Sequence, residues 1–117
     1  MKQLPATLAT AVVAMVFSTS ALATIDVEAA KDLTQQNNCM QCHGVKKDKD
    51  GPSFLKTAER LRGKAGAEEE VLKHLTSGKK IKLADGSTEE HKIVKTIPPK
   101  DMAQMKNLAK YILSIQP

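Results

Sequence analysis

Five consecutive residues, Cys39-Met40-Gln41-Cys42-His43, carry most of the chemistry legible in the chain. Two thiols with two residues between them, followed at once by an imidazole, suit covalent haem attachment. Each sulfur adds to a haem vinyl group as a thioether, and the adjacent histidine reaches the iron as proximal ligand. The spacing lets one helical turn offer both sulfurs and the ring to a single porphyrin edge. Other uses of a cysteine pair fit less well. A redox dithiol belongs in a βαβ setting, and the surrounding pattern has none. Zinc wants four ligands, and there is no second cysteine pair.

The segments that must position this motif read as helices joined by loops. Asp26 is placed to cap a first helix that runs to about residue 36, with Val27, Ala30 and Leu33 at helical spacing. Asn37-Asn38 then loosens the backbone ahead of Cys39. A short second helix is predicted over 53–61, with Phe54, Ala58 and Leu61 on one side and Gly63 and Gly66 after it. The third, over 67–77, opens with Glu68, Glu69 and Glu70, where the helix dipole favours negative charge. Val71, Leu72 and Leu75 form its apolar stripe, and Gly78 terminates it. Asp101 caps a last helix to about residue 115, with Met105, Leu108, Ile112 and Ile115 on one face. No segment keeps a strand period for long, and 94–97 runs into Pro98-Pro99 as extended loop. The expected class is all-α, about four helices wrapped around one bound group.

Residues 1–23 are expected to be a cleaved signal peptide rather than part of that domain. Lys2 gives a positive start, an apolar stretch runs from Leu4 to Phe17, and Ala21-Leu22-Ala23 has the small-residue pattern of a cleavage site. The apolar stretch is short for a membrane span and is interrupted by Pro5, Thr7 and Thr10. The expected product is an exported, periplasmic domain over 24–117 that does not span the membrane. It keeps Phe54 and Tyr111 as aromatics and has no Trp. So small a core needs a staple. A covalently held porphyrin supplies apolar bulk that the side chains lack. Loss of Lys2 lowers the net charge from +5 to +4, too mild to argue for nucleic acid. The lysines cluster, however, at Lys46, Lys47 and Lys49, at Lys79, Lys80 and Lys82, and at Lys92, Lys95 and Lys100. Such runs are commonly solvated surface; their functional reading is a positive face for acidic redox partners.

Over nearly all of 24–117 the chain resembles the class I bacterial cytochromes c. The resemblance rests on Cys39-Met40-Gln41-Cys42-His43 after an N-terminal helix, Gly51-Pro52 behind it, a third helix ending in Gly78, and a C-terminal Leu108-Ala109-Lys110-Tyr111-Ile112-Leu113. It implies one haem c bound through Cys39 and Cys42, with His43 as the proximal ligand. It implies that the Pro52 carbonyl accepts a hydrogen bond from His43. It also implies that Leu33 packs on Leu108 and Tyr111. The resemblance fails at the sixth iron position. Where the family has Met-Pro-Pro, this chain has Ile97-Pro98-Pro99, and Ile97 cannot ligate.

The remaining donors are few. Met40 is held on the proximal side, Met105 fits the core stripe, and Met102 reaches the haem only if its loop shifts. His74 reads as a partly exposed residue beside the third helix's apolar stripe. His91 lies in the polar segment 82–96, where the family's distal ligand loop belongs, and is the expected ligand opposite His43. The leading function is therefore electron transfer by one haem cycling between Fe(III) and Fe(II), its exposed edge ringed by Lys46, Lys47, Lys95 and Lys100. The alternative is binding or sensing of a small ligand (NO, CO or O2) at an open or weakly held distal site. No enzymatic constellation is present in the sequence.

Overall fold

A computed structural model describes Lys2 and residues 13–15 and 24–117. Apart from those few positions, the signal peptide expected over 1–23 lies outside the described residues. Four helices follow: α1 Val27–Gln36, α2 Phe54–Leu61, α3 Ala67–Thr76 and α4 Met102–Ser114. A single 3-10 turn, Cys39–Gln41, carries the cysteine motif. Three of the helices start on side-chain caps legible in the sequence. Asp26 accepts from the Ala29 N–H at 3.0 Å, Ser53 from Lys56 at 3.0 Å and Asp101 from Gln104 at 3.1 Å. No helix among the described residues is long and apolar enough to cross a membrane.

Helix α4 is the central element, packed against α1, α2 and α3. Leu33, Leu108, Ala109, Tyr111 and Ile112 all belong to one buried cluster. Helices α1 and α4 are also tied by polar contacts. The Asp26 N–H donates to Asn107 Oδ1 at 2.9 Å, and Asn107 Nδ2 donates to the Asp26 carbonyl at 2.8 Å. Phe54 meets Tyr111 edge-on, with ring centres 6.4 Å apart. The all-α expectation is met, with one addition.

Between α3 and α4 runs a two-stranded antiparallel ribbon, β1 Lys80–Lys82 with β2 Thr88–Glu90. Its strands are too short to show an alternating period, and five of their six residues are exposed. The turn was nonetheless legible. Asp85-Gly86 is a strong hairpin signal, and Gly86 has φ +87, a conformation that favours glycine. The segment 82–96 is thus an ordered ribbon in its first part and extended loop after His91.

Candidate functional site

Asn38 brings the backbone into the motif with φ +53, a left-handed conformation that asparagine tolerates. The turn then closes as the Cys42 and His43 N–H groups donate to the Cys39 carbonyl at 3.2 and 3.0 Å. Behind it the chain folds back over the imidazole. His43 Nδ1 lies 2.6 Å from the Pro52 carbonyl, the contact that the resemblance implied. The Gly51 N–H donates to the Cys42 carbonyl at 2.7 Å, and Phe54 to Gly44 at 2.9 Å. A Cβ at Gly51 would stand 2.6 Å from His43 Cε1, so only glycine lets the backbone pass so close to this ring. Asp48 pins the loop from outside, accepting from the Ser53 N–H at 2.7 Å and from Lys56 Nζ at 3.0 Å. Those two donors hold its carboxyl below the usual range.

Opposite this wall lies His91, just beyond β2. Its N–H donates to the Lys79 carbonyl at 2.9 Å, and its Nδ1 lies 2.8 Å from the Lys92 carbonyl. A carbonyl only accepts, so in both histidines Nδ1 carries a proton, and the neutral tautomer compatible with that bond offers the Nε2 lone pair. That is the tautomer a metal ligand needs, held by a backbone partner on each side. The ring centres of His43 and His91 are 6.1 Å apart. A metal–imidazole bond of about 2.0–2.1 Å places two rings on opposite sides of one ion roughly 6 Å apart, so the spacing fits a shared iron.

Between the walls is a cavity of about 1100 Å³. That exceeds the range of about 300–1,000 Å³ usual for small-molecule sites. Cys39, Cys42, His43 and His91 all line it, with Leu61, Leu75, Val94 and Leu108 among the apolar lining. These features fit a planar, apolar group anchored at one edge. Among the described residues no three His, Cys, Asp or Glu side chains cluster as a metal site of their own. Two imidazoles are what a porphyrin-held iron leaves to the protein. The thiol of Cys39 is pushed above its ordinary pKa by burial, the reverse of the shift a reactive dithiol needs.

The methionines that compete for the sixth position are elsewhere. Met102 is exposed on the first turn of α4, Met105 is buried in helix packing, and neither lines the cavity. His74 is partly exposed beside the apolar stripe of α3, as expected, but its ring turns into the cavity. Its ring centre is 4.1 Å from that of His91. Burial, then the neighbouring His91, holds its pKa down to about 4. Burial also lowers that of His91. The inward turn of His74 was legible in its spacing, one helical turn beyond Val71 and next to Leu75.

The lysines divide between the cavity and the outer surface. Lys46, Lys47, Lys95 and Lys100 are exposed but do not line the cavity, whereas Lys79, Lys80, Lys82 and Lys92 do. Asn37, read as a loosening residue, is instead a tether. Its Nδ2 donates to the Leu33 and Lys95 carbonyls at 3.0 Å each, and its Oδ1 accepts from the Lys95 N–H at 2.8 Å. No sequence pattern announced this contact, because its partners lie 58 positions apart.

The family model described as cytochrome c matches residues 27–116. Among solved structures, a class 1 cytochrome, MtoD from Sideroxydans lithotrophicus ES-1, is similar to this chain. It is 50% identical at a TM-score of 0.73, covering 79% of this chain and 98% of its own. Cytochrome c552 from Nitrosomonas europaea shares the fold at 24% identity and a TM-score of 0.56, covering 74% of this chain and 99% of its own. No curated protein sequence matches.

Proposed function

The chain belongs to the cytochrome c family, and from that membership we propose that it is an exported, periplasmic electron carrier whose iron is held between His43 and His91. Membership carries one covalently bound haem c, and Cys39 and Cys42 are the cysteines spaced to take it. When bound, the haem supplies a one-electron Fe(III)/Fe(II) couple. The chain's own residues do the rest. Pro52 and Lys92 fix the two imidazoles through Nδ1, and Leu61, Leu75 and Leu108 line the cavity with apolar surface. The observation that carries the reading is the pair of imidazoles in one cavity, each tied to a backbone carbonyl, with ring centres 6.1 Å apart and planes tilted by 53°.

His43 and His91 would together fill the two positions that a haem leaves on its iron, so the iron would change oxidation state with little rearrangement and present no open position to substrate. A second imidazole in place of thioether favours ferric iron and lowers the potential relative to Met/His ligation. The lysines around the cavity mouth, Lys79, Lys80, Lys82 and Lys92, suit transient docking of acidic redox partners. Electron exchange should then slow with rising salt, since exposed charges are screened over about 8–10 Å at ordinary ionic strength.

The absorption spectrum of the purified ferric holoprotein tests the ligand set. Low-spin iron without the weak far-red band of iron–thioether ligation is expected. That band would give the sixth position to a methionine, and a high-spin spectrum would favour the small-ligand reading instead. His91→Ala should displace the wild-type low-spin electron paramagnetic resonance signal; an unchanged signal would remove His91 from the iron.

A further inference from the structure

All three histidines of the chain line one cavity, yet an iron held by a porphyrin takes only two axial ligands. His74 is left over. It projects from α3 on the side of Val71 and Leu75, which also line the cavity. Its ring centre lies 4.1 Å from that of His91, with the planes tilted by 51°. The His43 and His91 rings are each fixed to a carbonyl, whereas His74 makes no such hydrogen bond among the described residues. It is an unfixed imidazole one ring's width from the distal position.

The two distal-side histidines stand on supports of different strength. His91 hangs from a ribbon of three-residue strands, only one of whose residues is even partly buried. Isolated two-stranded ribbons are marginally stable, and such segments open at lower cost than packed helices. His74 stands on α3, which packs on α4 through buried Val71 and Leu75.

We propose that His74 is a reserve axial ligand, which takes the iron position opposite His43 whenever His91 withdraws with its ribbon. This rests on the His43/His91 reading above. Withdrawal of His91 would leave its place beside His74, and the 4.1 Å between the two ring centres is what rotation about the His74 side-chain torsions has to cover. The exchange swaps one nitrogen lone pair for another and leaves the oxidation state of the iron unchanged. Its consequence is that opening of the distal ribbon does not expose the iron, which stays six-coordinate and closed to small ligands.

The test uses covalently loaded holoprotein in four forms: wild type, His74→Ala, His91→Ala and the double variant. Ferric electron paramagnetic resonance and carbon monoxide binding to the ferrous form are the readouts. Wild type and His74→Ala should share one low-spin signal, but His74→Ala should admit carbon monoxide slowly, as its ribbon opens, where wild type refuses it. His91→Ala should stay low-spin with a shifted two-imidazole signal, and only the double variant should turn high-spin and bind carbon monoxide at once. A high-spin His91→Ala protein beside a low-spin wild type would overturn the reserve role and leave the His43/His91 reading standing. A low-spin double variant would overturn it too, since some other donor would then be filling the site. A high-spin His74→Ala protein would make His74 the resident ligand and overturn both. Should His91→Ala fail to accumulate, His91→Asn, whose Nδ2 stands where Nδ1 does and can still donate to the Lys92 carbonyl, carries the same readouts.

Discussion

The two walls of the cavity are built in opposite ways. The proximal wall is a local structure. Residues 39–54 hydrogen-bond to one another, the His43 ring is held by Pro52 nine positions away, and Gly51 lies against it. The distal wall is assembled from afar. Asn37 ties Lys95 across 58 positions, the Val94 N–H reaches the Leu75 carbonyl at 2.9 Å, and His91 hangs on a ribbon. The attachment side therefore needs little from the rest of the fold. The side that completes the coordination needs nearly all of it.

Removing the group that joins the walls should have the largest effect. Cys39→Ser with Cys42→Ser is expected to abolish covalent haem retention, read as loss of haem from the denatured polypeptide. Without that anchor the cavity of about 1100 Å³ has no fixed filling, so far-ultraviolet circular dichroism should show loss of helix as well. Full helix content without bound haem would mean that the walls stand on their own.

Gly51→Ala strikes the proximal wall alone. A methyl placed 2.6 Å from His43 Cε1 must push the ring or the loop aside. Such overpacking typically costs about 1–3 kcal/mol, readable as a lower denaturant midpoint with an altered low-spin signal. An unchanged midpoint and signal would show that the proximal loop yields freely, contrary to its dense hydrogen bonding.

Asn37→Ala loosens the distal wall and should cost less, about 1 kcal/mol, since lost hydrogen bonds are partly replaced by water. Its signature is local. Amide hydrogen exchange should quicken over 91–96 while 42–54 keep their protection. Equal quickening on both sides would erase the contrast between the walls.

The smallest effect is expected from acid acting on Asp48. Its folded pKa is depressed by the Ser53 N–H and by Lys56. Its contribution is therefore fully present above the ordinary carboxylate pKa and is lost as pH falls through the lowered folded value. Asp48→Asn should flatten that part of the stability-against-pH curve, measured by denaturant midpoints. Wild-type and variant curves that stay parallel into acid would show that the loop does not depend on this charge.

Much of the molecule follows from the sequence by itself, wherever the deciding contacts are short-range. Helices α1, α2, α3 and α4 are legible because their caps and apolar stripes lie within a few positions of one another. The haem motif is legible because two thiols and an imidazole need only one turn to be brought together. Even the ribbon left a local mark in Asp85-Gly86. The distal side is another matter, since no spacing between positions 37, 74, 91 and 95 announces that they meet. Packing of α1, α2 and α3 on α4 decides that His74 and His91 turn toward His43 while Met102 and Met105 stay out of the cavity. The reason is physical. A ligand across a cavity is placed by the elements that close around it, and their placement depends on the whole core.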